Sequence, residues 1–369
     1  MDPRLFFESE LQKATTAKTL AQSHFNKLAT FRLTSFVGSL AGLWIWNSTN
    51  ESFALLAAGI LLIVFLVLMK KQQRAKKERD FQRNLCLIYQ DELARLEYRF
   101  LRPETGTQFQ EKNHPFASDL DIFGDYSLFR LLNRTRTSEG AQRLAKWLKR
   151  LSPLDDILMR QEASVELKKN PEFIQDWEAT ALLHEHADQQ VAVFRDWAAE
   201  ELDENLKSSF KWRYFSIVTC VVLAIVIAGY LPVWVLLLCL GWHVLILKRL
   251  QGVIQSLSSR TTNLGLTLIA YSELLDKAEQ THYKTRWWQE RKSLITGSAH
   301  ALQEVGKIFD NLDYRNNPYF SLLIGIPTFW DIHCLVKLEK WKNTNKQNIP
   351  QWLSVLADIE ALNSLAGFG

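Results

Sequence analysis

Cysteine is scarce, with 4 in 369 residues, at positions 86, 220, 239 and 334. That excludes a disulfide-stapled fold, and no Cys-x-x-Cys pair exists to hold structural zinc. Proline (9) and glycine (15) are also few, too few for the turns of an all-β sandwich or barrel. No GxxxxGK[ST] loop occurs, so the phosphate cradle of the P-loop ATPases is missing. The first 30 residues are polar and mixed in charge, and no cleavable signal peptide is read in them. Net charge is only +4, from 44 basic and 40 acidic side chains, which does not by itself mark a nucleic-acid binder.

What the chain does have is segregation, hidden by a mean hydropathy of −0.12. Residues 33–50 carry no charge, and after Glu51 neither do residues 52–69. Each run is close to the ~20 residues that cross a ~30 Å hydrocarbon core. The polar 47–51 between them reads as the turn of a helical hairpin, with Trp44 and Trp46 placed as interfacial aromatics. Residues 214–247 form a second charge-free stretch, broken by Gly229-Tyr230-Leu231-Pro232 into two short halves. A buried helical pair in an aqueous core is the competing reading, and finding two such pairs in one chain argues against it.

Lys and Arg flank both hairpins on their open ends and are missing from both turns. The positive-inside bias therefore puts both turns across the membrane and the aqueous parts in the cytoplasm of a multi-pass inner or plasma membrane protein. All four cysteines are then expected as free thiols. A fifth uncharged run, 316–330, holds Pro318 and Pro327. It reads as one or two buried helices, with a re-entrant or interfacial segment as the alternative.

The aqueous parts read as helical. Apolar residues at three- and four-residue spacing mark 72–100 (Phe81, Leu85, Ile88), 138–151 (Leu144, Trp147, Leu148, Leu151), 187–212 (Val191, Phe194, Trp197, Leu202, Leu206) and 248–280 (Leu257, Leu264, Leu268, Tyr271, Leu275, Ala278). Thr137 or Ser138, Ser152-Pro153 and Asn170-Pro171 are cap signals. The fold class is all-α, with long helices and two transmembrane hairpins. The segments expected are an N-terminal cytoplasmic piece 1–30, hairpin 31–70, juxtamembrane helix and loop 71–118, a core part with ascending helix 119–212, hairpin 213–247, and a descending helix with the second core part 248–369.

Within 119–167 a series of blocks occurs in order. Asp119, Leu120, Asp121, Phe123 and Gly124 are followed by Leu131, Leu132, Asn133, Thr135, Thr137 and Gly140. Then come Trp147, Leu148, Pro153, Leu154, Asp156, Arg160 and Gln161. This pattern resembles the core domain of the MutS family of DNA mismatch-repair proteins, and 352–368 resembles the end of the same core. The resemblance covers 119–369, interrupted by the second hairpin. It implies a core with two antiparallel lever helices, here 187–212 and 248–280, whose clamp tip is replaced by a membrane hairpin. It further implies binding of mismatched or structured duplex DNA, DNA repair and a homodimer or a MutS-type ATPase partner. ATP and Mg²⁺ are expected only with an ATPase domain that this chain does not contain, and no catalytic motif is read here. The mismatch-reading domain is also missing, and Phe6-Phe7-Glu8 matches its Phe-x-Glu over too few residues to count.

Other residue patterns favour plainer readings. The basic cluster Lys70, Lys71, Arg74, Lys76, Lys77 and Arg79 reads first as a membrane-surface contact to anionic lipid and second as a phosphate contact to DNA. His184-Glu185-His186 and Asp331-x-His333 have a spacing that does not share a helix face, so no metal site is read. Trp287-Trp288 reads as buried packing or an interfacial belt rather than a base-stacking pair. The alternative to DNA work is a non-catalytic membrane scaffold that uses the core for protein contacts. A transporter is disfavoured because the spans lack charged residues.

Overall fold

A computed structural model describes residues 2–183, 188–201 and 210–368. Every regular element among them is helical. The chain divides into two compact units, 1–133 with 170–183, and 134–169 with 184–369. The segment 119–212 is therefore shared between them.

The first unit is built on two very long helices, α1 (Pro3–Thr49) and α2 (Ser52–Arg95), joined at Asn50-Glu51. Asn50 takes a left-handed φ of 54° and turns the chain back. The covered positions of α1 include Phe7, Leu11, Ala14, Ala21, Phe25, Leu28, Arg32, Ser35, Ser39 and Gly42, and those of α2 include Ala54, Ala58, Leu61, Phe65, Leu68, Gln72, Ala75, Arg79, Gln82, Cys86 and Tyr89. The α2 series alternates steps of four and three, and the α1 series does so save for one step of seven between Ala14 and Ala21, where Lys18 is exposed; this is the heptad seam of a two-stranded coiled coil.

The seam changes character but not phase along its length. In the uncharged half it is lined by small residues. A Cβ on Gly42 would lie 3.0 Å from that of Ala58, and the Ser39 hydroxyl donates to the Ala58 carbonyl at 3.1 Å. Small residues let backbones approach where water offers no hydrophobic drive. In the charged half the fillers are larger, with Arg79 over the Phe25 ring at 4.7 Å and Phe7 against Tyr89. The helical first thirty residues are the part the sequence reading left unassigned.

Helix α3 (Leu128–Leu132) and α6 (Pro171–Leu182) complete this unit. Buried Arg95 donates to the carbonyls of Arg130, Leu131 and Asn133 and pairs with Asp91 at 2.8 Å. It thereby satisfies the end of α3, whose last carbonyls have no partner of their own. Asn170 caps α6 by accepting from the Phe173 amide, as its sequence signal foretells.

The second unit contains α4 (Ser138–Lys149), α5 (Leu154–Lys168), α7 (Asp188–Ala199), α8 (Phe215–Ile227), α9 (Val233–Arg260), α10 (Leu264–Gln280), α11 (Arg286–Ile295), α12 (Ser298–Asp313), a bent helical run α13 (Pro318–Thr328), α14 (Trp330–Asn345) and α15 (Ile349–Ala366). Its core is aromatic. Trp197 packs edge-on to Phe309 at 5.0 Å and stacks on Trp341, which meets Trp352. Each such burial contributes ~1.5–3 kcal/mol. Helices α10 and α12 touch backbone to backbone where Gly265 faces Gly306, and a Cβ on Gly265 would lie 2.6 Å from the Gly306 carbonyl.

Among the described residues, four helices are long and apolar enough to cross a membrane, namely α1, α2, the stretch Phe210–Ile227 that ends in α8, and α9. These mark a membrane protein. The break at 229–232 falls where the sequence put it, with Gly229 at φ 82°. No disulfide joins the cysteines, all four of which are free thiols.

Four expectations are corrected. Helix α4 stops at Lys149 because Arg150 is extended, so Leu151 leaves the apolar stripe and is 92% exposed. Ser152 does not cap α5, since Pro153 occupies the position before its first residue. The continuous helices expected over 187–212 and 248–280 are interrupted. Helix α7 ends at Ala199, where the Lys342 ammonium takes the Glu200 carbonyl, while Leu202 and Leu206 lie outside the described residues. Helix α9 ends at Arg260, where the Thr261 and Thr262 hydroxyls bond back to Leu257 and Ser258 carbonyls and Asn263 turns left-handed at φ 65°. The run 316–330 is not buried, since Tyr319, Leu322 and Leu323 are exposed on its surface.

Candidate anion-binding cleft

Thr137 and Glu360 begin the site. The Thr137 hydroxyl accepts from the Gly140 amide and so caps α4. The same hydroxyl donates to the Glu360 carboxylate of α15 at 2.6 Å, and the Thr137 amide adds a second bond at 3.2 Å. Gly140 lies against the Glu360 side chain with no room for a Cβ. The Arg134 amide donates to the Ser364 hydroxyl at 3.0 Å. The start of α4 is thus locked to α15 by residues more than two hundred positions apart.

One turn further, α4 presents Arg143 and Lys146, and Arg150 follows in the extended residue just past its end. They face a cavity of 320 Å³ closed by Trp147, Asp156 and Arg160 on one side and by Trp287, Arg291 and Asp358 on the other. Asp358 is buried and holds two guanidinium groups, pairing with Arg143 and, at 3.3 Å, with Arg291. Arg143 also donates to the Ser354 hydroxyl at 2.9 Å. Burial pushes the Asp358 carboxyl up, against the pull of both arginines.

Arg160 lies 4.6 Å over the Trp147 ring and donates its Nε to the Asp156 carbonyl. Arg291 lies 4.5 Å over Trp287. Among the described residues no carboxylate stands within ion-pair distance of Arg160, Lys146 or Arg150. Burial, and then the nearby Arg291 and Arg143, push the Arg160 guanidinium below its ordinary pKa, against Asp156 and Asp358. Five cations face two carboxylates around one cavity. An anion entering it gains charge-assisted hydrogen bonds in a partly dry setting. The lining offers one hydroxyl, Ser152, beside its charged and aromatic side chains.

Helix α11 carries Trp287 and Arg291, and its position depends on Glu166. This carboxylate of α5 accepts from the amides of Lys284 and Thr285, at 2.7 and 3.1 Å, just before α11 begins. Partial burial pushes Glu166 up, but the two amides outweigh it and hold the carboxyl below its usual value.

The residues singled out in the sequence fall as follows. Asp119 and Asp121 are exposed, and Asp121 takes a left-handed φ of 45°. Gly124 donates its amide to Thr105, and buried Asn133 gives its carbonyl to Arg95 and Arg102. All four belong to the first unit. Thr135 is buried in the second unit, where Thr137 and Gly140 meet Glu360 and Arg160 lines the cleft.

The basic cluster sits on α2 just past its apolar half. Lys70, Lys71, Arg74, Lys76 and Lys77 are exposed, while Arg79 turns inward to Phe25 and pairs with Asp80. Trp287 and Trp288 are buried, as the packing reading has it. His184-Glu185-His186 lies outside the described residues.

Sequence reasoning missed Arg143, Lys146, Arg150, Arg291 and Asp358. The three-residue spacing of Arg143 and Lys146 was a usable signal, while Arg150 lies past the helix end and Arg291 and Asp358 join them only through the fold. No family model matches this chain, and no curated protein or solved structure matches it either.

Proposed function

We propose that this chain is a membrane-anchored MutS-like protein whose aqueous core contacts the phosphates of duplex DNA, structured or mismatched, in the service of DNA repair. The observation that carries the reading is the packing of α4 and α5 on α15. The two blocks that resemble the MutS core, 119–167 and 352–368, meet through Thr137–Glu360 and Arg143–Asp358 and frame a cationic, tryptophan-lined cleft.

Helices α1, α2, α8 and α9 anchor the chain as two hairpins in the inner or plasma membrane, with the aqueous parts in the cytoplasm. The exposed lysines at 70–77 lie against anionic lipid. ATP and Mg²⁺ enter this reading only through an ATPase domain on a partner or on further chain, and no residue here is assigned to them. A homodimer is the assembly proposed.

The test is a titration of the protein, held in nanodiscs, with duplex DNA at several salt concentrations, alongside the variant Lys146→Glu/Arg150→Glu. Binding is expected to weaken steeply with salt, with a slope of about −0.9 per phosphate contacted. The double variant is expected to flatten that slope. Binding with a slope the variant leaves unchanged removes the cleft from the reading. No binding at low salt overturns the DNA reading and leaves the membrane scaffold.

A further inference from the structure

The uncharged run 316–330 packs on the second apolar pair around a buried histidine. His243 of α9 is fully buried. One ring nitrogen, Nε2, lies 2.8 Å from the Thr219 hydroxyl of α8, and the other, Nδ1, lies 2.8 Å from the Ile326 carbonyl of α13. The Phe329 ring stacks on the imidazole at 3.8 Å. His243 stands five residues before Lys248, about 7.5 Å at 1.5 Å per residue. Helix α13 therefore meets α9 inside its apolar length, near the charged end.

Helix α13 is only eleven residues long, about 16 Å, half the thickness of a hydrocarbon core. It contains a π turn at Ser321–Gly325, and at Phe329, with φ 50°, the chain bends 73° into α14. An Arg315–Asp331 ion pair at 3.7 Å joins the two ends of the segment. One face of α13 carries Tyr319, Leu322 and Leu323, which are 78, 66 and 71% exposed. Leu237 and Leu238 on α9 and Ile217 on α8 are exposed to a similar degree.

We infer that α13 is a fifth membrane element, a short helix embedded in the leaflet on the Lys248 side, with Tyr319, Leu322 and Leu323 against lipid acyl chains, and that it does not cross. A face this apolar and this exposed is costly in water. Through Ile326 and His243 it joins two helices, α8 and α9, whose own apolar side chains are as bare, which makes lipid its occupant. The inference rests on reading Phe210–Ile227 and α9 as spans.

Nitroxide probes test it on the full chain in nanodiscs of phosphatidylethanolamine and phosphatidylglycerol. They are placed one at a time at Leu322→Cys, Leu323→Cys and Tyr319→Cys in a Cys220→Ser/Cys239→Ser background, with Leu238→Cys and Lys340→Cys as lipid and water references. The three α13 probes are expected to collide with oxygen far more than with a water-soluble nickel chelate, as at 238 and opposite to 340. Nickel accessibility equal to that at 340, with 238 still in lipid, overturns the inference and leaves the spans standing. Nickel accessibility at 238 as well overturns the spans and the inference with them.

Discussion

Gly140 shows how one hydrogen atom decides a contact. Alanine at an ordinary helix position stabilises by roughly 0.5–1 kcal/mol over glycine. Here the added carbon would press on the Glu360 side chain, including its Cβ at 2.9 Å, which cannot swing away. Gly140→Ala is therefore expected to destabilise the second unit by ~1–3 kcal/mol, the range for overpacking. A lowered urea midpoint of the detergent-solubilised protein is the readout, and a raised one contradicts the account. Thr137 illustrates the other side of residue-level reasoning. Its role as a cap was legible because a hydroxyl and an amide three residues on need nothing distant. Its second bond, to Glu360, was not.

At the scale of the element, local chemistry was readable and burial was not. The caps at Thr137 and Asn170 and the break at Gly229–Pro232 were legible because each follows from backbone preference. The end of α4 before Leu151, the interruption after Arg260 and the exposure of α13 were not. Apolar composition is the same for a core helix and a lipid-facing one, and only neighbours distinguish them. The amide pair on Glu166 gives an element-scale prediction. Its carboxyl titrates below the usual glutamate value of ~4.3, so its hold on α11 is complete above that pH and fades as pH falls through the lowered value. Glu166→Gln should lower the urea midpoint at pH 7. The gap between the two proteins should close as pH falls below the ordinary glutamate value. A gap independent of pH would assign the effect to packing.

At the scale of the whole molecule, the four long apolar helices among the described residues, read as two hairpins in the proposal, set the topology to be tested. In the proposed topology, which follows the Lys and Arg distribution, the turns at 47–51 and 229–232 lie on the side opposite the aqueous parts. Ser48→Cys and Tyr230→Cys should react with an impermeant maleimide in intact cells, and Lys340→Cys only after lysis. Labelling of Lys340→Cys in intact cells would invert the orientation.

The coiled coil of α1 and α2 keeps the phase of one seam from its small-residue end to its aromatic end. Residues 3–32 extend it about 45 Å beyond the apolar part. In the spanning reading this is a mast and not a leash. A flexible tether lets its cargo sweep a wide volume over the bilayer. A stiff two-stranded shaft fixes a height and passes on any tilt or twist of its root undiminished. Inserting seven residues would raise the mast and keep its facing, whereas inserting four would turn one helix against the other.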